Sequence, residues 1–279
     1  MIRDDYNSVW VSHSSIGDFL KCPRLYFLRN IYKNERGRKI SIASPPLSLG
    51  KAVHDTLEGL SQYKAEERFS KSLADTFEEH WKKVSGKYGG FKAEAEEAEA
   101  KERGKNMIER VSNNPGPLLN KTIKLMDKDM GSLLNFYLSK KDGIILCGRI
   151  DWLEYVDADD SIKVLDFKTG KNAEKKDSLQ LPIYALLLKA LQRRKVSGAS
   201  YWYVDKDDAP ISVELPDIQS SAEKLLFISR KIKEARERKV FNCPRGRQGC
   251  FACRPFEKIL EGKAEFVGVG EYNQEIYIV

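Results

Sequence analysis

The chain has 279 residues, 41% hydrophobic and 32% charged, with 48 Lys and Arg against 41 Asp and Glu and a net charge of +7. This is enough chain for a full hydrophobic core, and the composition is that of a soluble globular protein. No apolar run is long enough to span a bilayer, and the opening Met-Ile-Arg-Asp-Asp-Tyr lacks the apolar centre of a signal peptide, so a cytoplasmic protein without a membrane partner is expected. The positive balance suits a polyanionic partner. Five cysteines in such a chain point to metal binding or catalysis rather than to a disulfide framework.

Ser12 to Ser15 precede an apolar-periodic run and predict a helix N-terminus, with Ile16, Phe19 and Leu20 on the buried face. Pro23 ends that helix or begins the next. Residues 21–39 carry seven Lys and Arg against one Glu, with Tyr26, Phe27 and Tyr32 interleaved. The aromatics read as core. The cations read equally as solvated surface or as a face for single-stranded nucleic acid. Residues 41–48 form a loop, and a helix follows in which Val53, Leu57 and Leu60 recur at helical spacing and place His54 beside the apolar stripe. Taken alone, such a histidine is an ordinary boundary residue. Residues 62–119 are helical and highly charged, and 91–109 has so little apolar character that it reads as a solvated face.

A strand is predicted over 133–138. Two further strands, 143–152 and 161–168, flank a turn containing Asp157, Asp159 and Asp160 and make a hairpin. Side chains alternate along a strand, so Asp166 and Lys168 point one way and Phe167 the other. Asp151 ends the first strand nearby, and Cys147 and Arg149 share its face. Cys147 reads as a small core hydrophobe, and Arg149 as a contact to a phosphate or a carboxylate. Two carboxylates and a lysine would then converge. Buried carboxylates need a partner or a cation, and a hard divalent ion prefers oxygen ligands. By itself the same stretch is also an ordinary hairpin with an Asp166–Lys168 salt bridge.

A basic stretch, 171–176, leads to a helix with Asp177 or Ser178 near its cap and Pro182 in its early turns. Gln180 and Tyr184 are four apart and share a face. A strand over 199–205, extended by 211–215, and a long helix over 218–239 follow. Residues 223–247 hold nine Lys and Arg against three Glu, a candidate phosphate track. The tail carries Cys243, Cys250 and Cys253 as Cys-x6-Cys-x2-Cys, and Cys22 makes a fourth thiolate, the number a [4Fe–4S] cluster needs. A structural zinc site is the rival, although zinc sites more often use two local Cys-x2-Cys pairs. Residues 271–279 alternate and read as an edge strand.

Gly-Arg-Ile-Asp, then Asp-Phe-Lys-Thr-Gly-Lys, then Gln-x-x-x-Tyr resembles the PD-(D/E)xK nuclease superfamily, in its RecB-like exonuclease branch with an iron–sulfur cluster. That branch includes CRISPR-associated adaptation nucleases and AddB-type nuclease domains. The order Cys22, Gly-x-x-x-His54, Asp151, Asp166-x-Lys168, Gln180-x-x-x-Tyr184 and the cysteine tail matches, although the lone tail cysteine comes first here and last in the commonest form. The resemblance implies an α/β, restriction-endonuclease-like fold: a mixed central sheet flanked by helices, forming one nuclease domain over 1–279. It implies a helical insertion at 62–119 and cluster-binding segments at 12–39 and 241–256. His54, Asp151, Asp166 and the Phe167 carbonyl would hold Mg²⁺ or Mn²⁺. Asp151, Asp166, Lys168, Gln180 and Tyr184 would be catalytic, and Cys22, Cys243, Cys250 and Cys253 would bind the cluster. The implied activity is metal-dependent hydrolysis of DNA, as an exonuclease on single strands or free ends, in repair, recombination, phage DNA processing or CRISPR adaptation. The alternative is a DNA-binding or processing subunit that acts through a protein partner of such a system.

Overall fold

The structure, a computed structural model, describes residues 8–126 and 131–279. The stretch 1–6 that bears on a signal sequence lies outside them. Strand β1 (Val9–Val11) leads into α1 (His13–Lys21). Ser12 caps α1: its hydroxyl accepts the Ser15 N–H at 3.2 Å, and the Ser15 hydroxyl accepts the Ser12 N–H at 2.8 Å. This reciprocal pair satisfies two amides that a helix start otherwise leaves open. Ile16 is buried as expected, but Leu20 is 58% exposed. Asp18 is buried instead, held by Arg29 at 2.7 Å and Asn30 at 3.1 Å. Pro23 opens α2 (Pro23–Tyr26), where its missing N–H costs nothing.

Next come β2 (Ile40–Ile42), α3 (Pro45–Gly59), α4 (Leu73–Trp81) and α5 (Glu94–Asn113). Four strands follow: β3 (Leu134–Ser139), β4 (Ile144–Gly148), β5 (Trp152–Val156) and β6 (Ser161–Lys168). Helix α6 (Gln180–Leu191) crosses to β7 (Val196–Tyr203), which turns into β8 (Ile211–Val213). The chain ends with α7 (Ile218–Glu237), α8 (Arg254–Leu260), β9 (Glu265–Val269) and β10 (Glu275–Ile278).

Residues 143–152 are not one strand. β4 stops at Gly148 and pairs with β1 and β3, whereas β5 starts at Trp152 and makes the hairpin with β6. The bend at 149–151 between them carries Asp151. The four-stranded sheet β5-β6-β7-β8 is mixed, because α6 makes β6 and β7 parallel while both outer pairs are antiparallel. A third sheet has the order β2-β10-β9. The predicted edge strand is therefore central, parallel to β2 on one side and antiparallel to β9 on the other.

Alternation along β6 divides the core. Ile162 and Val164 join Ala199, Tyr201 and Tyr203 of β7 in a cluster with α6 and α7. Leu165 and Phe167 join Trp152, Trp202 and Val204 in a second cluster with α3, α4 and α5. A third cluster gathers Cys22, Leu25, Leu28 and Ile40 with Cys250, Cys253, Phe256 and Ile259. Helices thus cover both faces of the mixed sheet, as expected.

Helix α5 corrects the reading of a solvated face. Its first half is solvated, but Met107, Ile108 and Val111 are buried. Gly104 lets the helix approach closely: a Cβ there would lie 2.5 Å from the Phe77 ring and 2.9 Å from Leu49 Cδ1. Overpacking costs ~1–3 kcal/mol, against ~1 kcal/mol that alanine gains over glycine in a helix. Gly104→Ala should therefore destabilise by about 1 kcal/mol, seen as a lower urea midpoint; a raised midpoint would refute the close-packing argument.

Candidate active site

The site is built at the C-terminal end of β6. Asp166 is buried, and its Oδ1 accepts from Gln180 Nε2 at 2.6 Å and from the Tyr184 hydroxyl at 3.2 Å. Gln180 also donates to the Tyr184 oxygen at 3.0 Å, so one turn of α6 grips the carboxylate with two side chains. Lys168 donates to Gln180 Oε1, and its Nζ lies 2.7 Å from Asp166 Oδ2. That approach is a close buried ion pair, so both oxygens of Asp166 are engaged. Burial works against the Lys168 ammonium, but Asp166 and Glu174 outweigh it and hold its pKa above the ordinary lysine value. Burial, reinforced by the charges of Asp151 and Asp166, keeps Tyr184 a neutral phenol well above its usual pKa.

Phe167 points to the opposite layer, edge-on to His54 at 6.2 Å between ring centroids. Its N–H donates to Asp151 Oδ2 at 3.0 Å. In an extended strand the N–H and C=O of one residue lie on the same edge, so the Phe167 carbonyl looks the same way. His54 arrives from α3, with Nδ1 3.5 Å from Asp151 Oδ2 and 2.8 Å from Glu58 Oε1. One ligand atom each from His54, Glu58 and Asp151 lies within 4.8 Å of the others. Burial raises the Asp151 pKa to about 8, helped by the Asp166 charge and opposed by His54. Burial opposes the His54 imidazolium, yet Asp151, Glu58 and Asp166 raise its pKa to about 9. Two close acids around one imidazole, Glu58 and Asp151 beside His54, are a donor set that a hard divalent cation fits. A groove of about 300 Å³ opens beside it, lined by Asp151, Glu58, Ile150 and Thr122. A larger depression between α5 and the Asp205–Asp208 turn shares no residue with this site.

The structure thus brings together His54, Asp151, Asp166, Phe167, Lys168, Gln180 and Tyr184. It does not bring in Cys147, which is buried against the Val11 carbonyl at 3.4 Å with its thiol pushed up to about 11 by burial. Arg149 leaves the expected face because β4 ends one residue before it; its guanidinium instead donates to the Tyr272 hydroxyl at 3.1 Å. Two participants were missed. Glu58 lies four residues after His54, a spacing that places both on one helix face. Glu174, 3.1 Å from Lys168 Nζ, has no local signal, because only the folding back of its loop brings it there.

The four predicted cysteines also converge. Cys22 sits at the junction of α1 and α2, and Cys253 caps α8. The sulfurs of Cys22, Cys243, Cys250 and Cys253 all lie within 4.8 Å of one another, and those of Cys250 and Cys253 are 3.8 Å apart. Cys243 belongs to the set despite its place in the order. Burial opposes a Cys250 thiolate, but the backbone N–H groups of Cys253 and Ala252 lower its pKa to about 7. Arg24 and Glu257 tie the same two segments through a bidentate pair at 2.6 and 3.1 Å. Four clustered thiols with stabilising amides fit a metal centre.

No helix among the described residues is long and apolar enough to cross a membrane. No protein of curated function matches the chain by sequence. The crystal structure of a candidate exonuclease from Eubacterium rectale is similar in fold, with a TM-score of 0.51 and 15% identity, covering 91% of this chain and 93% of that one. The sequence model of the PD-(D/E)XK nuclease superfamily matches residues 10–258. His54, Asp151, Asp166, Lys168, Gln180, Tyr184 and the four clustered cysteines all lie within that span, and the chain belongs to the PD-(D/E)XK nuclease superfamily.

Proposed function

We propose that the chain is a metal-dependent deoxyribonuclease that hydrolyses DNA phosphodiesters, as an exonuclease on single strands or free ends. The observation that carries this reading is the meeting of Asp166 and Lys168 with Asp151 and His54 at the end of β6. Asp151, Asp166, His54 and the Phe167 carbonyl would hold Mg²⁺ or Mn²⁺, with Glu58 either as a further ligand or as the group that orients His54. The ion, when bound, supplies an acidified water and neutralises charge on the phosphate. Lys168 supplies a fixed cation where charge develops on the phosphorane or where the attacking water must be aligned. Gln180 holds both partners at once, accepting from Lys168 and donating to Asp166, and Tyr184 adds a second grip on that carboxylate. The surplus of lysine and arginine supports binding to a phosphate backbone whose strength falls with salt.

The four thiolates would hold a metal centre that staples the α1–α2 corner to the tail. The resemblance assigns a [4Fe–4S] cluster. The sulfur spacing favours a second identity, because a tetrahedral zinc with ~2.3 Å bonds sets sulfurs about 3.8 Å apart, the separation of Cys250 and Cys253.

Lys168→Ala should lower cleavage of end-labelled DNA in Mg²⁺ or Mn²⁺ by about 10²–10³-fold while leaving DNA affinity within about twofold. Cleavage by this variant at the wild-type rate would sink the assignment. If neither protein cleaves with metal bound, the partner-dependent reading takes over. Glu58→Gln should raise the metal concentration for half-maximal cleavage by about 10–100-fold, read from a metal titration; an unchanged titration removes Glu58 from the site. Cys253→Ser should lose the bound metal and lower Tm by about 5–10 °C. Iron and sulfide analysis of the wild type, set against its zinc content, identifies the centre.

A further inference from the structure

Among the described aromatic side chains Phe251 is 82%, Tyr272 68% and Phe227 60% exposed, and of these three Tyr272 is the one tied to Arg149, beside Asp151. It stands on the turn between β9 and β10. The turn is tightly held: the Gly270 N–H donates to the Gln274 carbonyl at 2.8 Å and the Tyr272 N–H to Gln274 Oε1 at 3.0 Å. Asn273 takes the left-handed conformation, φ 58°, that such a turn requires. This is a rigid presentation of an aromatic ring to solvent.

The position of the turn gives that ring a use. β10 runs parallel to β2, the strand that feeds directly into α3 and His54. On one side, Glu271 lies 4.0 Å from Lys51 Nζ, one helical turn before His54. On the other, Tyr272 accepts from Arg149, two residues before Asp151. The turn therefore bridges the two elements that bring the metal-binding side chains. Arg149 donates to the phenol hydroxyl and sets its guanidinium carbon over the ring, 5.8 Å from the centroid, while the tyrosine side chain as a whole stays exposed. Glu271 disfavours a phosphate on the turn itself, so the ring suits a base while the exposed Arg149 suits the phosphate beside it. Residues 265–278 also lie beyond the span matched by the superfamily.

We propose that Tyr272 is a stacking platform for an unpaired DNA base at the mouth of the site, with Arg149 holding the adjacent phosphate; this rests on the nuclease reading above. An aromatic face stacks any base but reaches it only when the base is unpaired. The platform thus selects single strands or frayed ends over closed duplex.

The test uses full-length protein and an oligonucleotide carrying 2-aminopurine, with binding measured in Ca²⁺ and cleavage in Mn²⁺. Tyr272→Ala should bind the single strand about tenfold more weakly and lose the quenching of 2-aminopurine, with duplex binding and Tm unchanged. Tyr272→Phe and Tyr272→Trp should keep both affinity and quenching, whereas a purely structural tie to Arg149 would fail in Phe as it fails in Ala. Unchanged single-strand affinity and quenching in Tyr272→Ala would overturn the platform even if wild type cleaves. Base quenching by a wild type that never cleaves would support the platform and refute the nuclease reading.

Discussion

The hydrogen bond from the Phe167 N–H to Asp151 is the joint on which the site depends. β4 belongs to one sheet and β5 to another, and the bend between them would be free to wander without an anchor. Accepting from β6 fixes Asp151 at a bend beside a strand end, where a carboxylate can look into a groove rather than into the core. The same bond turns Phe167 into a divider. Its ring fills the α3 side and touches His54, while its neighbours Asp166 and Lys168 occupy the α6 side. A single residue thus sets the separation of the two halves of the site.

Charge burial explains the rest of the arrangement. Asp166 is held by donors on one oxygen and faces an ammonium on the other. Asp151 and His54 stand so close that each shifts the proton affinity of the other. Burying like charges this tightly is unfavourable unless a cation neutralises them. The protein's own cation, Lys168, already serves Asp166 and Glu174. The carboxylates of Asp151 and Glu58 have only His54 in common, which leaves the acidic side of the site short of positive charge. This imbalance supports the metal-binding reading more strongly than the motif alone does.

The sequence made the alternation of β6, the α6 face shared by Gln180 and Tyr184, and the gathering of the four cysteines legible, because each depends on local spacing or on residue chemistry. The break at 149–151 was hidden. Arg-Ile-Asp has ordinary strand composition, and the bend is imposed from outside by Phe167. The buried half of α5 was obscured because Met107, Ile108 and Val111 are diluted by charged neighbours over a long window. Leu20 was misplaced for the converse reason: an ion pair of Asp18 with Arg29, eleven residues away in sequence, took the buried position. Tyr272 carried no signal, since the local sequence builds only its turn and its partner Arg149 lies 123 residues away.

The thiolate centre and the C-terminal hairpin are mechanically in series. Cys253 is the N-cap of α8, α8 packs on β2, and the chain then enters β9 and β10, whose central strand is registered on β2. β2 in turn leads into α3 and His54. A metal held by these four cysteines would therefore constrain two things at once: the start of the hairpin that carries Tyr272 and the strand that precedes the His54 helix. Pure stabilisation would require only that the tail be tied down somewhere. Tying it here would place the staple where a loosened tail displaces both the turn that carries Tyr272 and the His54 imidazole, so a metal bound there would belong to the geometry of the site without touching the reacting atoms.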